Sequence, residues 1–130
     1  MATDLNDAEI MLITEGLNSV LPFAKNELAK KIPSSSGYNT VQNNVSFCLS
    51  AAKRLAEFQK HKATSIVLNE GELQMMLGGL DYMLSESEDF LKTLSIIDVD
   101  YVSSINAVEL MKTTKEKIIA LMAAHGFKPR

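Results

Sequence analysis

The segment from Leu68 to Leu94 carries the pattern that most restricts how this chain can fold. Its apolar residues recur at intervals of three, four and seven, which places them in one stripe along an α-helix. They are Leu73, Met76, Leu77, Leu80, Met83, Leu84 and Leu91. A stripe this wide must be covered by other helices. The segment therefore predicts a protein built from several packed helices.

The start of this helix has the pattern of a capping box. The Asn69 side chain is placed to accept from the backbone N–H of Glu72, whose carboxylate reaches back to the Asn69 N–H, and Leu68 and Leu73 fill the hydrophobic-staple positions. The same pattern precedes the first helix. It consists there of Leu5, Asn6, Glu9 and Ile10. Beyond this shared start we identify no internal repeat of fixed period.

Three further helices are predicted from apolar periodicity, over residues 5–31, about 40–62 and about 98–125. Pro22 lies inside the first, where it removes a backbone hydrogen bond, so that helix is expected to be kinked or split there. Residues 32–39 form the clearest loop, and residues 63–68 an extended connector. We expect Asp98 to cap the fourth helix and Gly126 to end it, with Phe127 folding back in a Schellman motif.

The apolar stripe of the fourth helix thins at Thr113, Thr114 and Lys115, which predicts a less buried middle. Four helices joined by short connections favour antiparallel neighbours. The sequence thus predicts an all-α fold, an up-down-up-down four-helix bundle in which residues 1–130 form a single domain.

Composition narrows the functional class. The chain has 130 residues, 46% hydrophobic, and one cysteine, and on general scaling a chain this long buries about two thirds of its unfolded surface. Its net charge of −3 does not favour direct binding to nucleic acid or to anionic membranes. No signal-peptide pattern and no apolar run near the ~18 residues of a membrane span is present. We expect a cytoplasmic protein.

Candidate catalytic residues are few. His61 and His125 each follow the last turn of a helix, where the helix dipole accounts for them. Cys48 lies on an inward stripe without a histidine or a cation within one turn to activate it. No Glu-x-x-His motif and no phosphate-binding loop occurs. We therefore expect no enzyme activity, no metal site and no cofactor.

Two adjacent glycines, Gly78 and Gly79, lie inside the third helix, where each costs about 1 kcal/mol relative to alanine. The favoured explanation is the close approach of another helix of the same chain. The alternative is a seam for a second copy or for a partner, flanked by Met75 and Tyr82.

Charge is unevenly distributed along the chain. The segment from Asn69 to Asp100 contains eight acidic residues and one basic residue, Lys92. Its net charge is therefore −7, and that of the remainder of the chain is +4. Glu86, Glu88 and Asp89 approach the end of the third helix, where the helix dipole disfavours carboxylates, and Asp98 and Asp100 are expected to extend this acidic patch at the same end of the bundle. Three interpretations of the first three remain: a helix that breaks at Ser85 and restarts there with Glu88 in a capping box, a surface for a basic partner, or a solvated face.

The expected function is non-catalytic protein binding, as an adaptor, regulator or inhibitor, through this acidic surface and the helix-three face. An acidic inhibitor that occupies the nucleic-acid-binding surface of its partner is a special case, and salt-sensitive binding would mark it. The other class is a structural protein that self-assembles as a homo-oligomer.

Overall fold

The computed structural model describes residues 5–33, 35–61 and 66–129, and within them it is all-helical, without strands. The four helices are α1 (Asp7–Lys30), α2 (Ser36–Lys60), α3 (Glu70–Leu91) and α4 (Tyr101–Ala124). Their mutual packing fits a four-helix bundle. The predicted fold class is confirmed at that level.

Both predicted capping boxes are confirmed. Asn69 Oδ1 accepts from Glu72 N at 2.7 Å, and Glu72 Oε1 accepts from Asn69 N at 2.9 Å. Asn6 and Glu9 repeat this arrangement at 2.9 and 3.0 Å. Two of the four unpaired N–H groups at each of these helix starts are thereby satisfied.

Two predicted boundaries are wrong, and one alternative left open by the sequence is excluded. Helix α2 begins at Ser36, because Ser35 caps it by accepting from Tyr38 N at 3.1 Å, so half of the predicted loop is helical. Asp98 does not cap α4; its Oδ2 accepts from Ser95 N at 2.6 Å within the preceding turns, and α4 starts at Tyr101. Helix α3 continues through Ser85 to Leu91 without the break considered above.

Helix α1 also continues through its proline, from Asp7 to Lys30, so it is not split at Pro22. A kink there stays a prediction. The end of α4 is as predicted: Gly126 adopts φ 75°, and Phe127 N donates to Met122 O at 2.8 Å, which is the Schellman arrangement. The extended connector is only partly described, since residues 63–65 lie outside the described ranges, as does the predicted end of α2 at Lys62.

The core lies in one half of the bundle. Fully buried apolar residues come from the first part of α1 and α3, from the second part of α2 and α4, and from the connector before α3. The largest are Ile13, Leu17, Leu55, Leu73, Met76, Leu80, Ile118 and Met122. In the other half no described residue of α1 beyond Leu17, of α2 before Cys48 or of α3 beyond Leu80 is buried. Val108 and Met111 of α4 are buried there, but they lie outside the main core cluster.

Helices α1 and α3 cross in backbone contact at two glycines. A Cβ placed on Gly79 would lie 2.6 Å from the carbonyl carbon of Gly16, and one placed on Gly16 would lie 2.8 Å from that of Gly79. This close approach explains Gly79 as predicted. Gly78 has open space around its Cβ position, so the explanation does not extend to it.

The chain contains an internal repeat, contrary to the sequence-based interpretation. A shift of 63 positions along the sequence aligns α1 and α2 (helix pair A) with α3 and α4 (helix pair B). It matches Asn6 with Asn69 and Gly16 with Gly79. Both members are buried at nine matched positions. These are 5/68, 9/72, 10/73, 13/76, 16/79, 17/80, 48/111, 51/114 and 55/118.

Contacts between the two pairs are reciprocal. The Glu72 carboxylate accepts from Arg54 Nε at 2.9 Å, and the equivalent Glu9 carboxylate accepts from Lys117 Nζ at 2.9 Å. Since Arg54 matches Lys117, each helix pair supplies one carboxylate and one cation to the other. This self-complementary pattern is that of a two-fold dimer interface, here formed within one chain.

Some residues differ in burial from what the apolar pattern predicts. Thr114, in the supposedly thin middle of α4, is fully buried, as is its equivalent Ala51, which the apolar pattern did not single out. Thr114 Oγ1 donates to the Leu110 carbonyl at 2.7 Å, which removes the cost of burying a hydroxyl. In contrast, Leu49 and Val102 are 52 and 64% exposed, although apolar periodicity predicts an inward position for both.

Candidate protein-binding surface

The connection between α3 and α4 exposes an unusual number of large apolar side chains. Ile96, Ile97 and Val99 are 76, 86 and 94% exposed. Phe90 at the end of α3 and Val102 at the start of α4 are also exposed. We define the acidic tip as residues 86–102. Contiguous exposed apolar surface marks interaction sites, because it gains free energy when a partner removes it from water.

Carboxylates accompany these apolar residues. All five acids singled out from the sequence in this region are exposed within the acidic tip: Glu86, Glu88, Asp89, Asp98 and Asp100. Their partners are weak or local. Asp89 lies 3.6 Å from Lys92 in an exposed pair, and Asp98 accepts from the Ser95 backbone. Asp100, at the N-cap position of α4, forms no side-chain cap hydrogen bond.

Two grooves flank the contact of α3 with α4 beside the acidic tip. One holds about 220 Å³ and is lined by Glu86, Ser87, Phe90, Ser104 and Ala107. Its lining thus combines small side chains with the apolar Phe90 ring and the Glu86 carboxylate.

The second groove, on the other side, holds about 320 Å³ and includes Glu88, Leu91 and Ile105 together with Lys92 and Lys112. The first groove is thus the acidic one, and the second carries both signs of charge.

The other predicted site residues are placed differently. Gly79 is buried against Gly16, which removes it from any outer surface, whereas Gly78 is exposed. Met75 is half-buried and packs against the core. Tyr82 is half-buried, and its ring centroid lies 5.4 Å from that of Phe23 on α1. Of these four residues only Gly78 is exposed.

Three residues were considered for catalysis or metal binding: Cys48 within α2, and His61 and His125 after the ends of α2 and α4. Burial raises the pKa of the Cys48 thiol, which keeps it protonated and unreactive. His61 and His125 are exposed C-cap residues of α2 and α4. Among the described residues no three His, Cys, Asp or Glu side chains are grouped so as to hold a metal ion.

The exposed apolar residues of the acidic tip were not identified from the sequence. The stretch Ser95–Tyr101 alternates β-branched residues with aspartates. That pattern forms no helical stripe, so it predicts only a connection between helices. The signal was the presence of Ile96, Ile97 and Val99 in a segment with no element to bury them, since loops normally lie at the surface.

These features define the class as a four-helix protein with an exposed apolar and acidic tip. Comparisons with protein-family models, with curated proteins and with solved structures give no match to this chain. None of the four helices, over the part of the chain that the structure describes, is long and apolar enough to cross a membrane.

Proposed function

We propose that this protein is a non-catalytic protein-binding module, an adaptor, regulator or inhibitor, and that its binding surface is the acidic tip. The observation that carries this proposal is the coincidence of three apolar side chains at least three-quarters exposed, Ile96, Ile97 and Val99, with the exposed carboxylates around them.

The chemistry of the surface specifies the chemistry of its partner. Apolar side chains supply free energy on burial, at roughly 25 cal/mol per Å². Carboxylates at the rim select a partner with basic residues and repel an acidic one. The partner surface is therefore basic around an apolar centre. An inhibitor that covers a basic nucleic-acid-binding surface of its target is one form of this function.

An up-down-up-down direction of the helices is part of the proposal. Asp81 of α3 lies 2.6 Å from Lys115 of α4, and the earlier Gln74 donates to the carbonyl of the later Lys128 at 2.7 Å. This supports opposite directions for α3 and α4. The crossing at Gly16 and Gly79, followed by contact of Phe23 with Tyr82, supports the same direction for α1 and α3.

The test is an affinity capture from native-source extract at low and high salt, with three baits. The first is the wild-type chain, the second carries Glu86→Lys and Glu88→Lys, and the third carries Ile97→Ser and Val99→Ser. The positions lie on the surface, so all three baits should have the same unfolding midpoint. We expect one protein to be captured by wild type and lost from both variants.

High salt should weaken this capture because it screens exposed charges. A control bait with Lys53→Glu and Lys128→Glu changes two exposed charges outside the acidic tip and should capture as wild type does. A partner retained by both tip variants would place binding elsewhere and refute the proposal.

A further inference from the structure

We propose that the acidic tip binds a second copy of this chain, through the end of helix pair A, to form a closed two-fold dimer. This inference rests on the proposed function, since it names one partner for the same surface. It follows from a second exposed patch whose chemistry is that required of the partner.

That second patch is the end of α1 and the turn after it, residues 23–33, which we call the basic tip. Lys25, Lys30 and Lys31 are exposed there, and none forms an ion pair with a described residue. Phe23 and Ile32 are 54 and 70% exposed beside them. With the exposed Glu27 included, the basic tip has a net charge of +2 beside its exposed apolar surface. The acidic tip, with Lys92 included, has a net charge of −4 beside its own exposed apolar surface.

The repeat relates the two tips to each other. With the shift of 63 residues, Lys25 matches Glu88 and Phe23 matches Glu86, so equivalent positions carry opposite charge or no charge at all. Helix pairs A and B bury residues at the same nine matched positions, whereas their tips differ in charge. Packing of the chain itself does not require this divergence, because these residues are exposed.

Both tips belong to the same end of the bundle. Helices α1 and α3 cross at Gly16 and Gly79. They are in contact again at Phe23 and Tyr82, nearer the C-terminal end of each helix. The basic tip begins at Phe23, and the acidic tip begins four residues after Tyr82. The end surface is therefore half basic and half acidic, with exposed apolar residues in each half.

A surface of this kind is complementary to itself. When a second copy faces the first end to end and is turned about an axis perpendicular to the bundle, its basic tip lies over the acidic tip of the first. The same rotation places its acidic tip over the basic tip of the first. Both contacts form at once and the assembly closes at two copies, as in an isologous dimer.

The alternative rotation sets basic tip on basic tip and acidic tip on acidic tip, which like-charge repulsion disfavours. Charge thus selects one of two dimers that shape alone would leave open. The exposed Ile32, Ile96, Ile97 and Val99 supply apolar surface for the contact.

Sedimentation equilibrium of the purified full chain, at low and at high salt, tests this dimer. We expect a dimer at low salt whose dissociation constant rises with salt. One variant, Lys25→Glu with Lys31→Glu, makes both tips acidic, and another, Glu86→Lys with Glu88→Lys and Asp89→Lys, makes both tips net basic. Each alone should dimerise about tenfold more weakly or worse, because tips of like charge then face each other in both contacts of the dimer.

An equimolar mixture of the two variants is the decisive measurement. The all-acidic copy and the all-basic copy are complementary, so the mixture should recover a 1:1 dimer that neither forms alone. Circular dichroism of each variant confirms that it is folded. The variant with Lys53→Glu and Lys128→Glu changes charge away from both tips and should dimerise as wild type does.

A wild-type chain that is monomeric at low salt would overturn the inference, and so would a dimer that both tip variants retain. Capture of a different protein in a tip-dependent manner would in either case leave the proposed function in place. Loss of both the dimer and the tip-dependent capture would refute the inference and the proposed function together.

Discussion

The two halves of the bundle differ in how they use the same four helices. In the core half, equivalent residues of the two helix pairs are buried. Even the charged Glu9 and Glu72 are buried there: their side chains are each about 1% exposed and each is paired with a cation. In the tip half, the same helices present exposed apolar residues and charges. Intramolecular packing thus buries most of the apolar side chains of one half and leaves many of those in the other half exposed.

The tips also differ from each other. In helix pair A, α1 and α2 are joined by five residues and Ser35 caps the second helix. In helix pair B, nine residues separate α3 from α4, and four of them match helical residues of pair A. Pair B has no side-chain cap at this point, and its carboxylates at the end of α3 oppose the helix dipole. The acidic tip is thus less well stabilised as helix than the basic tip.

The largest expected contrast is between apolar residues of the two halves. Leu80 is 1% exposed in the core half, and Leu80→Ala should destabilise the protein by about 2 to 5 kcal/mol through the cavity it leaves. Val102 is 64% exposed in the tip half, and Val102→Ala should cost less than about 0.5 kcal/mol. Urea denaturation measures both. Similar losses at the two positions would contradict the division into halves.

A smaller contrast is expected between the adjacent glycines. Gly79→Ala forces a Cβ against the Gly16 backbone and should cost about 1 to 3 kcal/mol as α1 and α3 move apart. Gly78→Ala meets no neighbour and should stabilise by about 1 kcal/mol through helix propensity. The two unfolding midpoints should shift in opposite directions. A stabilised Gly79→Ala protein would show that the close helix crossing is not required.

The smallest contrast concerns ion pairs. Arg54→Met and Lys117→Met each leave a buried carboxylate without its cation and should each cost about 1 to 2 kcal/mol, at the low end for such pairs because both cations are partly exposed. Similar values are expected since the two positions are equivalent in the repeat.

The matched change in the tip half is Lys92→Met, which removes an exposed pair with Asp89 and should change stability by less than about 0.5 kcal/mol. Chemical denaturation of the three variants at constant ionic strength provides the comparison. A large loss for Lys92→Met, or very different losses for Arg54→Met and Lys117→Met, would argue against the equivalence of the two core contacts and the openness of the tip.

Much of the fold was predictable because its signals are local. The capping boxes at Asn6 and Asn69 and the Schellman end at Gly126 depend on residues three to five positions apart, and all were identified. The start of α4 was not, because Asp98 has the right chemistry for a cap but is used in the turn with Ser95. The acidic residues of the candidate site were predicted, whereas its apolar residues were missed.

By itself the sequence determined the number of helices, most of their ends, and the charge difference between residues 69–100 and the rest of the chain. These follow from periodicity, from capping and from composition, which act over a few residues. The tertiary structure decided which of two adjacent glycines meets another helix, that Glu9 and Glu72 bind cations of the opposite helix pair, and which apolar residues remain exposed. Those properties depend on contacts between residues 18 to 108 positions apart, which no local pattern specifies.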